Sequence, residues 1–153
     1  LAPAVMSYNI LLESLPEAYA WVAYAAMLIP VFAALRLAKF NIDDTQTTTF
    51  KGLPVPANAL WWLGACELLV NNNNTVTLVC FVASIFVFSF LMVSNVPMFS
   101  LKFKGLGWHG NEVRYVMIVV SVALLAIQGI SGFALIIGLY VIKSLLSSVS
   151  KAA

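Results

Sequence analysis

The chain has 153 residues, of which 62% are hydrophobic and 9% are charged. A soluble domain carries about a quarter charged residues, so this chain has too few charges to cover a water-facing globule, and its apolar content excludes disorder. The net charge of +2 is small and gives no reason to expect a nucleic-acid partner. The composition therefore predicts an integral membrane protein, an all-α polytopic transmembrane helical bundle formed as a single domain.

Apolar stretches of membrane-spanning length alternate with short polar connections along the chain. The predicted segments are, in order, a partial helix over 1–12 and spans over about 18–40, 54–70, 76–96, 113–128 and 130–147. This pattern predicts about five full spans. Pro30 lies inside the first full span, where we expect it to kink the helix.

The polar connections differ in charge from one side of the predicted bundle to the other. If each segment crosses once, all eight Lys and Arg residues fall on one side. The turn containing Glu13 and Glu17 and the asparagine loop 71–74 fall on the opposite side. Because cytoplasmic loops carry an excess of Lys and Arg, the cationic side is predicted to be cytoplasmic.

Arg36 and Lys39 stand three residues apart, so they share one face of a helix. They are either ordinary interfacial anchors or a cationic site for phosphate or carboxylate. Lys51, Lys102 and Lys104 are predicted to lie on the same side. Several cations at a membrane surface suit an anionic lipid head group or a nucleotide diphosphate.

Other polar residues give weaker functional signals. Asp43 and Asp44 are adjacent, so they do not share a helix face and are predicted to lie in a solvated loop. His109 has no second His or Cys at metal-ligand spacing and is predicted to lie in an interfacial loop. Cys66 and Cys80 are expected to be small core residues. No nucleophile arrangement or phosphate-binding glycine loop is recognisable.

Three short stretches, in this order and spacing, resemble one enzyme family. Residues 1–4 (LAPA) resemble the apolar stretch that follows the aspartate-rich motif of the CDP-alcohol phosphatidyltransferases. Residues 34–41 (ALRLAKFN) and 50–57 (FKGLPVPA) resemble the A-x-R-L-A-R-F-N and F-x-G-L-P-x-P-A segments of the bacterial CDP-diacylglycerol–serine O-phosphatidyltransferases, the integral-membrane phosphatidylserine synthases. Beyond residue 58 the similarity is one of hydropathy.

The resemblance implies transfer of a phosphatidyl group from CDP-diacylglycerol to L-serine, giving phosphatidylserine and CMP. It also implies a homodimer in the cytoplasmic (inner) membrane, among membrane lipids, with the active side facing the cytoplasm. The family's aspartates hold Mg²⁺ or Mn²⁺, and the last one serves as the base. This chain begins after that motif. We therefore expect the C-terminal two-thirds of such an enzyme, with no catalytic residue or metal ligand of its own and no activity alone.

By the same resemblance, several residues of this sequence acquire expected roles. Those expected to bind substrate are Arg36, Lys39, Asn41 and Lys51, and those expected to shape the adjoining loop are Gly52, Pro54 and Pro56.

Two alternatives stay open at this stage. The first is a related phosphatidyltransferase that uses another alcohol, such as glycerol phosphate or inositol phosphate. The second is a non-enzymatic transport or assembly subunit, which predicts polar residues near the middle of the bilayer.

Overall fold

The computed structural model describes residues 1–42, 51–98 and 111–152, the last five as main chain only. Every regular element within these ranges is a helix, which confirms the predicted all-α membrane bundle. The α-helices are α1 (Ala2–Ser14), α2 (Leu28–Ile42), α3 (Val55–Asn71), α4 (Thr75–Val93), α5 (Glu112–Gln128) and α6 (Gly132–Ala152). A 3₁₀ helix over Glu17–Met27 leads directly into α2, and a 3₁₀ turn over Gly129–Ser131 joins α5 to α6.

Three helical stretches are long and apolar enough to cross a membrane. They are Glu17–Ile42 with 26 residues, Thr75–Val93 with 19 and Glu112–Ser147 with 36. The third stretch folds back on itself, because α5 packs against α6 and Glu112 lines the same cavity as Leu146. It therefore forms a helical hairpin.

The first long stretch changes helix type shortly before Pro30. The 3₁₀ geometry ends at Met27, and α2 begins at Leu28. Proline has no N–H to donate, and in the first turn of a helix that loss interrupts the hydrogen-bond ladder least. The irregularity expected around Pro30 thus takes the form of a switch from a 3₁₀ helix to an α-helix.

Helix α3 lies at the centre of the bundle, in contact with α1, α4 and α6. Trp61 of α3 stacks on Phe88 of α4, with ring centroids 4.0 Å apart. Gly64 faces Ala134 of α6 so closely that a Cβ atom on Gly64 would collide with the Ala134 backbone nitrogen. Small residues at such crossings let helix backbones approach closely within a membrane.

The two cysteines differ in environment. Cys66 is buried and lies 3.8 Å from the Ser7 hydroxyl of α1, whereas Cys80 is exposed on the outer face of α4. The expectation of a core position is wrong for Cys80. Lipid-facing and core-facing side chains are equally apolar in a membrane bundle, so hydropathy does not separate them.

The close approach of α3 and α6 generates a stability prediction. We expect Gly64→Ala to destabilise the bundle by about 1–3 kcal/mol, because the added methyl group forces the two backbones apart. The matched control is Gly138→Ala on α6, where the added Cβ would meet only the Trp61 ring, at an ordinary 3.5 Å. Thermal unfolding in detergent measures both. Equal melting temperatures for the two variants would show that the crossing tolerates a methyl group.

Candidate functional site at the cationic end of the bundle

Arg36 joins three segments of the chain at one end of the bundle. Its side chain is only 8% exposed. The Nη1 atom donates one hydrogen bond to the carbonyl oxygen of Lys51 and another to that of Met92, both at 2.8 Å. The guanidinium of α2 therefore fastens the entry to α3 onto the end of α4.

Lys39, one turn further along α2, continues this arrangement. Its Nζ atom donates to the Val93 carbonyl oxygen at 2.8 Å and to Asn95 Oδ1 at 2.7 Å. The last carbonyls of a helix have no partner within the helix, and cations near that end interact favourably with the helix dipole. Arg36 and Lys39 thus cap the C-terminus of α4 from the neighbouring helix.

The segment before α3 lies against the segment after α4 in a short antiparallel pairing. Lys51 forms a β-bridge with Pro97, and the Gly52 N–H donates to the Val96 carbonyl oxygen at 2.8 Å. The Leu53 N–H donates to the Leu91 carbonyl oxygen at 3.1 Å, and its side chain is fully buried. These contacts fix the approach of the chain to α3.

Gly52 is the point where this pairing leaves no room for a side chain. Its φ angle is +73°, in the left-handed region that favours glycine. A Cβ atom there would lie 2.7 Å from the carbonyl oxygens of both Met92 and Ser94, and 2.8 Å from Arg36 Nη1. The glycine therefore allows the contact that Arg36 makes.

Pro54 and Pro56 lie at the start of α3. Pro54 occupies the N-cap position with extended backbone angles, and Pro56 stands in the first turn of the helix. Both positions suit proline, because the first N–H groups of a helix have no acceptor within it. The structure thus places both prolines directly after the Gly52 contact.

The structure brings Arg36, Lys39 and the backbone of Lys51 together at the end of α4. Asn41 is exposed near the end of α2. The other polar residues that the sequence analysis placed on the cationic side of the bundle lie outside the described ranges. They are Asp43, Asp44, Lys102, Lys104 and His109.

Tyr140 is a member of this cluster that the sequence did not reveal. It lies on α6, is 8% exposed and is within electrostatic range of Arg36. In the sequence it is a single tyrosine in an apolar run, a pattern equally typical of a core or interfacial residue. Only the packing of α6 against α3 places it here.

The residues described do not fit a site for Mg²⁺ or Mn²⁺. Within 1–42, 51–98 and 111–152, no three His, Cys, Asp or Glu side chains cluster closely enough to hold a metal ion. These ions prefer several oxygen ligands, carboxylates above all. The described chemistry at this end of the bundle is instead that of fixed cations and backbone groups.

These features define a helical membrane protein whose cationic residues converge at one end. No family model matches the chain. It is 30% identical over 126 residues to the CDP-diacylglycerol–serine O-phosphatidyltransferase of Helicobacter pylori (strain ATCC 700392 / 26695), an alignment that covers 78% of this chain and 50% of that protein. It is 29% identical over 97 residues to the protein of the same name from Bacillus subtilis (strain 168), covering 63% and 49%.

The protein of that name from Helicobacter pylori (strain J99 / ATCC 700824) gives the same identity and coverage as the first relative. The chain spans about half the length of the curated relatives it matches. These similarities support, at the level of the family, the resemblance carried by residues 34–41 and 50–57.

The Gly52 contact yields a second prediction with an internal control. Gly129 also has a positive φ angle, +59°, but an added Cβ there meets nothing within 4 Å. Alanine at either site is disfavoured by the positive φ angle, and only Gly52→Ala also places a Cβ atom against Arg36. We therefore expect a larger loss of thermal stability in Gly52→Ala than in Gly129→Ala. Equal losses would mean that the Arg36 contact contributes nothing.

Proposed function

We propose that this chain acts in phospholipid biosynthesis as part of a CDP-diacylglycerol–serine O-phosphatidyltransferase. The observation that carries the proposal is the similarity to three enzymes of that name, over 63–78% of the chain. The clustering of Arg36, Lys39 and Lys51, all within the two resembling motifs, supports it further.

In the proposed reaction the serine hydroxyl oxygen bonds to the phosphorus that carries the diacylglycerol. The bond between that phosphorus and the bridging oxygen of the CMP group breaks, and CMP leaves. The hydroxyl proton passes to a base, which we do not assign to any described residue. The products are phosphatidylserine and CMP, so each atom of CDP-diacylglycerol and serine is accounted for.

We propose that Arg36 and Lys39 present fixed positive charge to the anionic parts of the substrates, with Asn41 and Lys51 beside them. Arg36 is pre-positioned, because Nη1 is held by two carbonyl oxygens. A guanidinium has five N–H donors, so this hold uses only part of its capacity. A pre-positioned cation loses little side-chain entropy when a phosphate or carboxylate arrives. In the same proposal Gly52, Pro54 and Pro56 keep the adjoining loop in shape.

The resemblance adds three further parts to the proposal. The enzyme requires Mg²⁺ or Mn²⁺, it works as a homodimer, and its active side faces the cytoplasm from the inner membrane. The charge distribution supports the last of these, since Lys and Arg favour the cytoplasmic side.

The reaction is tested with the full-length gene product reconstituted in lipid vesicles with Mg²⁺ or Mn²⁺. We expect CMP release and phosphatidylserine formation from CDP-diacylglycerol and L-serine, and loss of both on chelation of the metal. Product with glycerol phosphate or inositol phosphate in place of serine would identify a related transferase. No CMP release with any alcohol would favour the transport or assembly alternative.

A charge-neutralising substitution tests the proposed role of Lys39. Lys39→Gln keeps an N–H donor for the Val93 carbonyl but removes the positive charge. We expect KM for CDP-diacylglycerol or serine to rise about tenfold, since a hydrogen bond to a charged group contributes about 1.5–3 kcal/mol.

Lys143→Gln is the control for a general loss of charge, because Lys143 lies on α6 outside the cluster. Wild-type KM values for both substrates in a stable Lys39→Gln variant would show that Lys39 only caps α4.

A further inference from the structure

An apolar groove of about 420 Å³ lies beside the cationic cluster, a volume within the range of ligand sites. It is formed by the first turns of α3, the middle of α5 and the N-terminal half of α6. Along α5 it extends from Met117 to Leu125, which is about 12 Å at a rise of about 1.5 Å per residue. The groove is therefore long enough for part of an extended hydrocarbon chain.

The lining of the groove offers a ligand almost no polar partner. Among the described residues that line it, only Ser121 and Tyr140 carry a nitrogen or oxygen atom in the side chain. The Ser121 hydroxyl donates to the Met117 carbonyl oxygen of its own helix at 2.7 Å. On the outer rim Ile118 and Val122 are 45% and 63% exposed, so the groove opens sideways on a membrane-facing surface.

Tyr140 connects the groove to the cationic cluster, because it lines the groove and is also within electrostatic range of Arg36. Pro54 and Pro56 make the same connection from α3, since they line the groove directly after the Gly52 contact. The groove itself is hydrocarbon, and the cationic cluster lies beyond the end of it that Pro54 and Tyr140 line. A molecule with an anionic head and an apolar tail matches both parts.

We propose that this groove holds an acyl chain of the lipid donor, with the anionic head of the donor at Arg36 and Lys39. The inference rests on the proposed function and adds to it the site that recognises the lipid tail. The hairpin of α5 and α6 thus takes part in substrate binding by holding the acyl chain. Each methylene group of the acyl chain that is buried in the groove strengthens the binding.

A pair of substitutions on α5 tests the groove. Ser121→Trp fills it, whereas Val119→Trp places the same side chain on a 68% exposed position that does not line it. In the full-length protein we expect Ser121→Trp to raise KM for a donor with 16-carbon chains about tenfold or more. KM for a donor with 4-carbon chains and KM for serine are expected to change less than twofold, and Val119→Trp is expected to behave as wild type.

A binding measurement separates this proposal from the proposed function. The donor, carrying a photoreactive diazirine in one acyl chain, is cross-linked to the full-length protein in vesicles, and the adducts are mapped by mass spectrometry. We expect adducts within 54–60, 117–125 and 136–140, and their loss in Ser121→Trp. Such adducts without phosphatidylserine formation would support the groove and refute the serine reaction.

Two outcomes would overturn the groove assignment. Serine transfer with all adducts outside these ranges would place the acyl chain elsewhere. Dissociation of an oligomer by Ser121→Trp, with an unchanged KM for the long-chain donor, would identify a second copy of the protein as the occupant.

Discussion

The hydrogen bonds from Arg36 to two backbone carbonyls hold the cationic end of this bundle together. A buried cation is costly unless its donors find acceptors, and Arg36 finds them on two segments that are distant in sequence, at Lys51 and Met92. Those carbonyls in turn need a donor, because Met92 lies in the last turn of α4 and Lys51 lies outside any helix. The end of α4, the entry to α3 and the face of α2 are therefore fixed by one side chain.

The contacts of Arg36 and Lys39 differ from those expected of a basic pair at the end of a membrane helix. A pair of basic residues at the end of a membrane helix is usually an interfacial anchor with a hydrated head group. Here Arg36 and Lys39 instead donate to carbonyl oxygens at the end of α4. They are structural caps of α4, and the same geometry supports the proposal that they hold positive charge in place for a substrate.

The lipid-facing hairpin of α5 and α6 extends the proposed site beyond the two motif segments. Gly64 lets α6 approach α3, and this contact brings Tyr140 within electrostatic range of Arg36 and forms one wall of the apolar groove. The proposed head-group site and the proposed tail site then depend on one packing arrangement. A disturbance at the Gly64 crossing is transmitted to the groove because α6 forms part of both.

The amino-acid sequence alone determined the membrane class, the all-α fold and the positions of the apolar segments, because hydropathy and polar breaks are local properties. It also singled out Gly52, Pro54 and Pro56, whose backbone restrictions can be read from residue type. Only the tertiary structure decided that Arg36 bonds to a carbonyl 56 residues away, that Tyr140 joins the cluster and that Cys80 faces outward. Lipid-facing and core-facing side chains have the same hydropathy, so the sequence does not separate them. Contacts between helices that are distant in the chain leave no periodic signal in the sequence of either helix.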